Sequence, residues 1–485
     1  MCYPLIPFAT FSIVFFEMTA KRSTTIALTV AIAFFMQNLD TTAVNTAIPT
    51  MARSFGTDVI HVSSGITSYL IALAVFIPGS GWIADHFGTR RVFTLAIVLF
   101  VIASVLCGLS QTLPQFVACR VFQGIAGAMM TPVGRLAVLK VTPKSELVTA
   151  MNYITIPALV APIVGPLVGG YLTTYFSWHW IFFLNVPVGI ICILLALHNI
   201  PREEETLEPK KRFDLVGFIL SGLALAGFMY GLELFSKDGL PYWVAVLVIL
   251  ISSLLLFINV RYSRHISNPL IDYSVMRIDT YRISVLVGTA TRIVIGVFPY
   301  LVPLMFQIGF GLTPFEAGAL FVSTMIGNLS MKTATVWVIR HFSFKKILIV
   351  NGVLVALFTF LTSLLLPTTP VYMIVVVMFM SGIVRSMQFT SVTTLAFADI
   401  PHQKTTSANT LYSTVQQMSS GMGIALGAVV LRFSNVINKG EAGNYTINDF
   451  HLAFVFIAIL SLVHLYGYRQ LKPDAGDGVR NAKAS

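Results

Sequence analysis

Residues 24–47 read TTIALTVAIAFFMQNLDTTAVNTA, a run in which Asp40 is the sole charged residue. Wound as a helix, this run is about 36 Å long, enough to cross a hydrocarbon core of roughly 30 Å. A carboxylate inside such a core costs about 2.5 kcal/mol or more unless it has a partner, a wet cavity or a task. The rest of the chain repeats the apolar pattern. Runs of similar length fall near 24–47, 62–82, 92–110, 114–139, 148–172, 180–198, 214–234, 242–261, 283–306, 316–338, 347–366, 371–396, 408–433 and 450–468. The 485 residues are 56% hydrophobic and only 11% charged, against roughly 25% charged in soluble domains. A water-soluble globular protein is excluded, and 12% aromatic residues with 22 scattered prolines fit neither a disordered nor a fibrous chain. The expectation is an all-α polytopic membrane protein with fourteen transmembrane helices.

Sidedness follows from the basic residues. Loops on the side of the chain termini carry 22 Lys and Arg; the opposite loops carry four, Arg53, Lys237, Arg432 and Lys439. Such a bias places both termini in the cytoplasm, and an even span count agrees. It also accounts for the net charge of +11 without nucleic acid, because the cations form no single patch. The long polar stretches at 201–214 and 261–282 divide the chain. An extension (1–23) precedes a six-helix bundle (24–200), linkers (201–282) flank a two-helix insert (214–261), and a second six-helix bundle (283–470) precedes a tail (471–485). Six, two and six helices are the arrangement of a duplicated transporter. Tyr3–Phe16 is apolar but too short to span and lacks a signal peptide's basic start, so it reads as an interfacial segment or as sequence upstream of a start at Met18. The four cysteines follow no metal-ligand spacing and read as small buried hydrophobes.

Few residues inside the spans can carry chemistry. Asp40 is the one carboxylate well inside a span, and Arg120, Arg135, Arg292, Lys332 and Arg385 are the cations. At 1.5 Å per residue, Asp40 and Arg120 both lie roughly 10 Å from the outer ends of their helices. Pairing would relieve both charges, either as a titratable site coupled to transport or as a static ion pair, with Asn45 and Gln123 adding polar contacts. Arg292, Lys332 and Arg385 lie at another level, in the second half. A shared cavity would make them a site for anionic cargo; otherwise they snorkel or bind helix carbonyls.

Two segments look mechanical. The fifth span holds Pro157, Pro162, Gly165, Pro166, Gly169 and Gly170, which together make a bent, thin helix that a neighbour can approach closely. The loop from Gly81 to Arg91 sets Asp85 among Arg90 and Arg91, with Gly88 at the turn. Its acid can clasp helix amides, or an arginine across the two halves, as a cytoplasmic gate. No Walker motif, zinc spacing or nucleophile elbow occurs in the sequence, so an enzyme and a nucleotide-driven pump are both disfavoured.

These segments resemble the major facilitator superfamily, in particular its fourteen-span drug/proton antiporter branch, over roughly residues 24–470. Leu39–Pro49 is similar to that branch's first-helix signature, Gly81–Arg91 to the cytoplasmic gating motif and Arg120–Gly124 to the fourth-helix motif. Gly165–Gly170 is similar to the antiporter motif, and Trp178–Gly189 to the segment entering the sixth helix. Ala126 departs from the pattern where glycine is usual. The resemblance implies a proton-coupled exporter of small molecules in the bacterial inner membrane, working by alternating access. Asp40 and Arg120 would serve proton coupling, with protons as the coupling ion and no cofactor. An exporter of organic anions or metabolites, and a non-transporting sensor, are the other readings.

Overall fold

The computed structural model describes residues 22–142, 147–201, 213–235, 241–266, 269–401, 404–440 and 443–477. Most of the expected N-terminal extension, the charged linker 202–212 and the end of the tail lie outside the described residues. In lipid a backbone must satisfy its own amides and carbonyls, and every apolar run above is helical. In the first half these are α1 (Arg22–Phe55), α2 (Val59–Phe87), α3 (Thr89–Gly108), α4 (Leu113–Val141), α5 (Leu147–Tyr175) and α6 (His179–Asn199, broken at Leu184). The insert is α7 (Leu215–Leu234) and α8 (Tyr242–Ser263). The second half is α9 (Asp279–Leu304), α10 (Pro314–His341), α11 (Phe344–Thr362), α12 (Val371–Ala398), α13 (Thr405–Ile437) and α14 (Ile447–Tyr468).

Among the described residues, twelve of these helices are both long and apolar enough to cross a membrane, short of the fourteen expected. The two others, α5 and α10, are long, at 29 and 28 residues. Helix α10 carries Asn328, Lys332 and Arg340 along its length.

Both halves are wired alike. In each, the first helix packs on the fifth, the second on the fourth, and the third on the fourth and sixth, as a duplication requires. The halves then meet along two seams, α5 on α10 and α2 on α13. The insert is a hairpin whose α7 lies against α2 and α13, flanking the second seam. Its α8 turns Leu247, Leu250, Leu254 and Phe257 outward, the surface a lipid-facing helix needs. Asp214 pins the hairpin, accepting from Gly217 N (2.8 Å), Tyr262 Oη (3.1 Å) and Leu270 N (3.1 Å). Near the end of α8, Asn259 donates to the hydroxyl of Tyr273 beyond it at 2.9 Å, and burial pushes that hydroxyl's pKa up to about 12.

The hydrogen bonds between the halves gather at the end away from the chain termini. Gln307, in a π turn that extends α9, donates to Thr46 O (3.0 Å). Tyr445 donates its hydroxyl to Asp58 (3.0 Å), and Phe315 N donates to Thr174 Oγ1 (3.1 Å). Along the α5–α10 seam a Cβ on Gly170 would stand 2.6 Å from Pro314 O, and one on Gly318 would strike Pro166 O. A cavity of about 640 Å³ lined by Arg53, Asp58, Gln307 and Tyr445 remains at this end.

Candidate functional site: a buried carboxylate cluster

Asp40 and Arg120 are in contact. Arg120 Nη1 lies 2.7 Å from Asp40 Oδ2, and both side chains are 0% exposed, so neither water nor salt screens the pair. Helix α4 brings the arginine there because its next residues permit a close approach to α2. A Cβ on Gly124 would stand 2.5 Å from Tyr69 O, and with glycine in place the guanidinium stacks 4.3 Å from the Tyr69 ring centroid. Phe182 of α6 covers it at 5.8 Å.

The other carboxylate oxygen, Oδ1, takes two amides: Gln123 Nε2 at 3.1 Å and Asn185 Nδ2 at 2.8 Å. Gln123 sits one turn beyond Arg120 on the same face of α4 and accepts from Arg120 Nη1 through Oε1. Both amides also reach Ser104 Oγ on α3, at 2.8 and 3.2 Å. The break at Leu184 ends the short turn His179–Phe183 and restarts α6 at Asn185, which aims that amide inward. Five helices, α1, α2, α3, α4 and α6, therefore converge on one acid, wholly inside the first bundle. Arg120 Nε and Nη2 have no hydrogen-bond partner, so the ion pair rests on one nitrogen and the ring stack. Oδ1 takes two donors and Oδ2 only one, so the free acceptor position for a proton is on Oδ2, beside Arg120.

Sequence reasoning found Asp40, Arg120 and Gln123 but missed Asn185, Ser104 and Tyr69. Asn185 stood in a quoted motif without a role, and an asparagine in an apolar span was the available signal. Asn45 stays out of the cluster, its Oδ1 buried without a partner.

Fifth-span residues position α1. A Cβ at Gly165 would run into Thr42, and one at Gly169 would stand 2.6 Å from Thr46 Oγ1. Pro157, Pro162 and Pro166 all lie inside the continuous helix. Gly169 and Gly165 thus face α1, while Gly170 and Pro166 face α10 of the other half.

At the opposite end, Gly88 adopts φ +88° between α2 and α3, a conformation that glycine alone adopts without strain. Asp85 meets Lys140 of the same half, Nζ at 3.8 Å, with both side chains exposed. Among the described residues, the ion-pair partner of Asp85 is thus a lysine of its own half rather than helix amides or an arginine of the other half. Arg90 donates to Leu197 O of α6, Arg91 is exposed, and Gly81 has open space around it.

Among the described residues, each of the three second-half cations has its own set of partners. Arg385 is fully engaged by neutral groups: Nε to Ser381 Oγ (3.0 Å), Nη2 to Thr359 Oγ1 (2.7 Å) and Nη1 to Val294 O (3.4 Å), with Phe298 stacked at 3.7 Å. Lys332 donates to Thr390 Oγ1 at 2.7 Å. Arg292 stacks on Tyr412 at 4.5 Å and donates to Ser284 O, leaving Nε and Nη1 without partners. None of the three lines the far-end cavity, nor the apolar one of about 300 Å³ that α7 shares with α9, α13 and α14.

Comparison with known proteins agrees with this architecture. The family model described as Major Facilitator Superfamily matches residues 30–424 and again 285–482. A protein of Pectobacterium carotovorum named putative multidrug resistance protein MdtD is 35% identical over 90% of this chain and 92% of its own length. Its namesake in Salmonella heidelberg is 35% identical over 89% and 91%. Among solved structures, a D-xylose–proton symporter superposes with a TM-score of 0.67 at 14% identity, covering 94% of this chain and 98% of the other. The inward-open xylose transporter XylE from E. coli gives 0.62 at 12% identity, covering 94% and 99%. With the fold, the duplicated bundles and these matches together, the chain belongs to the major facilitator superfamily: it is a multi-pass membrane protein and a secondary transporter, not an enzyme.

Proposed function

We propose that the protein is a proton-coupled exporter of small molecules in the bacterial inner membrane, with Asp40 as the protonation site and Arg120 as its counter-charge. The carrying observation is the cluster itself: a fully buried carboxylate held by one arginine nitrogen and two amides. An acid buried at that cost in lipid is a functional site by default, and relatives named as multidrug resistance proteins make small-molecule export the fitting task. All fourteen helices cross in this reading, α5 and α10 included, because each occupies an interior place in its bundle's wiring. The basic-residue bias puts both termini in the cytoplasm. The end closed by Gln307, Tyr445 and Phe315 is then the outer face, so the chain is in its inward-facing state. Gly81, Asp85, Gly88, Arg90 and Arg91 lie at the open cytoplasmic end as gate residues, and the α5 glycines and prolines form the closed outer seam.

The test is proton movement in proteoliposomes on addition of cationic, neutral and anionic compounds, for wild type and Asp40→Asn. A compound-dependent signal in wild type that vanishes in the variant supports the reading. Undiminished proton-driven export by Asp40→Asn removes Asp40 from the mechanism. One observation favours a second reading, export of organic anions: Arg292 is buried with two nitrogens unpartnered. That reading requires loss of anionic but not cationic export in Arg292→Gln.

A further inference from the structure

Arg292 carries a buried charge that no carboxylate balances. Its guanidinium folds back along α9: Nη2 donates to Ser284 O at 3.2 Å, and a Cβ on Gly288 would stand 3.4 and 3.5 Å from Nη2 and Nη1. Two more helices close over it. Tyr412 of α13 stacks at 4.5 Å and donates its hydroxyl to Thr393 of α12 at 2.8 Å, and Val392 Cγ1 of α12 lies 2.6 Å from the same Cβ position. Ser391 precedes that valine. Arg292 is 4% exposed, and Ser284 and Ser391 are 0% exposed. Among the described residues, Arg292 Nε and Nη1 and the Ser284 and Ser391 hydroxyls have no hydrogen-bond partner. Helices α12 and α13 contain no acid. The acid of α9, Asp279, is roughly 20 Å away along the helix and pairs with Arg282 at 2.8 Å.

Arg120 also has two idle nitrogens, but Asp40 neutralises it, and every nitrogen of Arg385 has a partner. A buried charge is tolerated when it is paired, and orphaned buried polar atoms call for an ion or ligand. A guanidinium offers donors only, and a hydroxyl can turn its hydrogen toward a bound group, so the species that satisfies this set is an anion. One cation matches one negative charge, and the close packing of Gly288 against Val392 keeps the ion small.

We propose that Arg292, Ser284 and Ser391 hold a small monovalent inorganic anion, of chloride's size, as the resident counter-ion of the second bundle. Arg292 supplies the charge, and the two serines donate hydroxyls from α9 and α12, so the ion ties these helices together. A resident ion binds without transport, unlike a cargo anion, and none of its ligands belongs to the Asp40 cluster. The inference therefore stands apart from the proton-coupling reading.

The experiment is thermal unfolding of the full chain in dodecylmaltoside, with sodium chloride exchanged for sodium gluconate at constant ionic strength. Expected is a midpoint that rises with chloride and saturates, as for a ligand that binds only the folded state; bromide acts likewise and gluconate does not. Ser284→Ala keeps the carbonyl that Arg292 reaches and removes only the hydroxyl, so it should raise the half-saturating chloride concentration about tenfold. Arg292→Gln should abolish the response. A wild-type midpoint indifferent to chloride overturns the site. So does a chloride response unchanged in both variants, which would place the ion elsewhere. Acetate acting where chloride does not overturns a resident inorganic ion and assigns Arg292 to the carboxylate of a cargo molecule. Full proton flux in Asp40→Asn would sink the coupling reading without touching this one, whose readout needs no transport.

Discussion

The ion pair at Asp40 can be measured as a coupling energy. Replacing Arg120 with Met removes the one cation that balances a carboxylate of 0% exposure and leaves Gln123 and Asn185 as neutral donors. Breaking a buried pair in this way costs about 3–5 kcal/mol, because the surviving charge has no compensation. Asp40→Asn alone strands the guanidinium, whose remaining supports are the neutral Gln123 Oε1 and the Tyr69 ring at 4.3 Å. Cation–π contact supplies only ~0.5–2 kcal/mol of relief, so this single variant also falls by about 3 kcal/mol. The double variant buries no charge. An asparagine at 40 keeps a carbonyl for Gln123 and Asn185, and Met fills the space over Tyr69, so its loss should be only about 1 kcal/mol. The two singles together therefore exceed the double by roughly 5 kcal/mol or more, over a thousandfold in the folding equilibrium. The assay is reversible unfolding in mixed dodecylmaltoside and SDS micelles for the four proteins, with proton flux read in parallel. The double variant is expected to be stable and inactive. Additivity within about 0.5 kcal/mol would refute the claim that this pair is unscreened and mutually dependent.

Three further outcomes follow from the seams and the insert. Gly318→Val drives a side chain against Pro166 O, and overpacking of about 1–3 kcal/mol should open the far end; a Cys at Thr174 then reacts at least fivefold faster with a hydrophilic maleimide, and an unchanged rate sinks the idea. Tyr445→Phe deletes the hydroxyl that reaches Asp58, worth about 1 kcal/mol, and should raise labelling at the same site by a smaller factor. Asp214→Ala removes the acceptor for Gly217 N, Tyr262 Oη and Leu270 N. Hydrogen exchange of the Leu270 amide should then quicken by about tenfold or more; protection equal to wild type would show that Asp214 does not pin the insert.

The helices were legible because lipid leaves the backbone one local solution, and the ladder of apolar runs reports it directly. Each observed helix overlaps its expected span, and most overrun it: α1 reaches Phe55 rather than residue 47, because a helix continues past the apolar core where only hydropathy changes. The Asp40–Arg120 contact could be inferred from depth, since two opposite charges at one level of a bundle have few other partners. Asn185, Ser104 and Tyr69 could not. A neutral polar residue costs too little in a span to stand out, and only packing reveals that five helices build one cluster around the acid. Helix α10 shows the reverse problem. Its Asn328, Lys332 and Arg340 weaken the apolar signal, although its glycines permit close contacts between helices: Gly318 against Pro166, and Gly327 against Phe379.

The second-half cations were harder to read, and the duplication explains why. Arg120 and Gln123 on the fourth helix of the first bundle have a counterpart spacing in Arg385 and Gln388 on the fourth helix of the second. Both arginines stack on an aromatic ring and both glutamines are fully buried. The difference is the first helix. Asp40 answers Arg120, whereas the only acid on α9 is Asp279, in its first turn. Arg385 instead collects two hydroxyls and a carbonyl, partners that balance a guanidinium by hydrogen bonding without neutralising it. Guanidinium does not release its proton in proteins, so the charge at Arg385 is fixed. At Asp40 the net charge of the buried set is zero with the carboxylate ionised and becomes +1 when a proton is taken up. A protonation-dependent force on this scaffold can therefore arise at the proposed site inside the first bundle, while Arg385 in the second contributes a constant charge. That asymmetry, more than the count of cations, is what the proposed proton-driven cycle requires of two halves built to one plan.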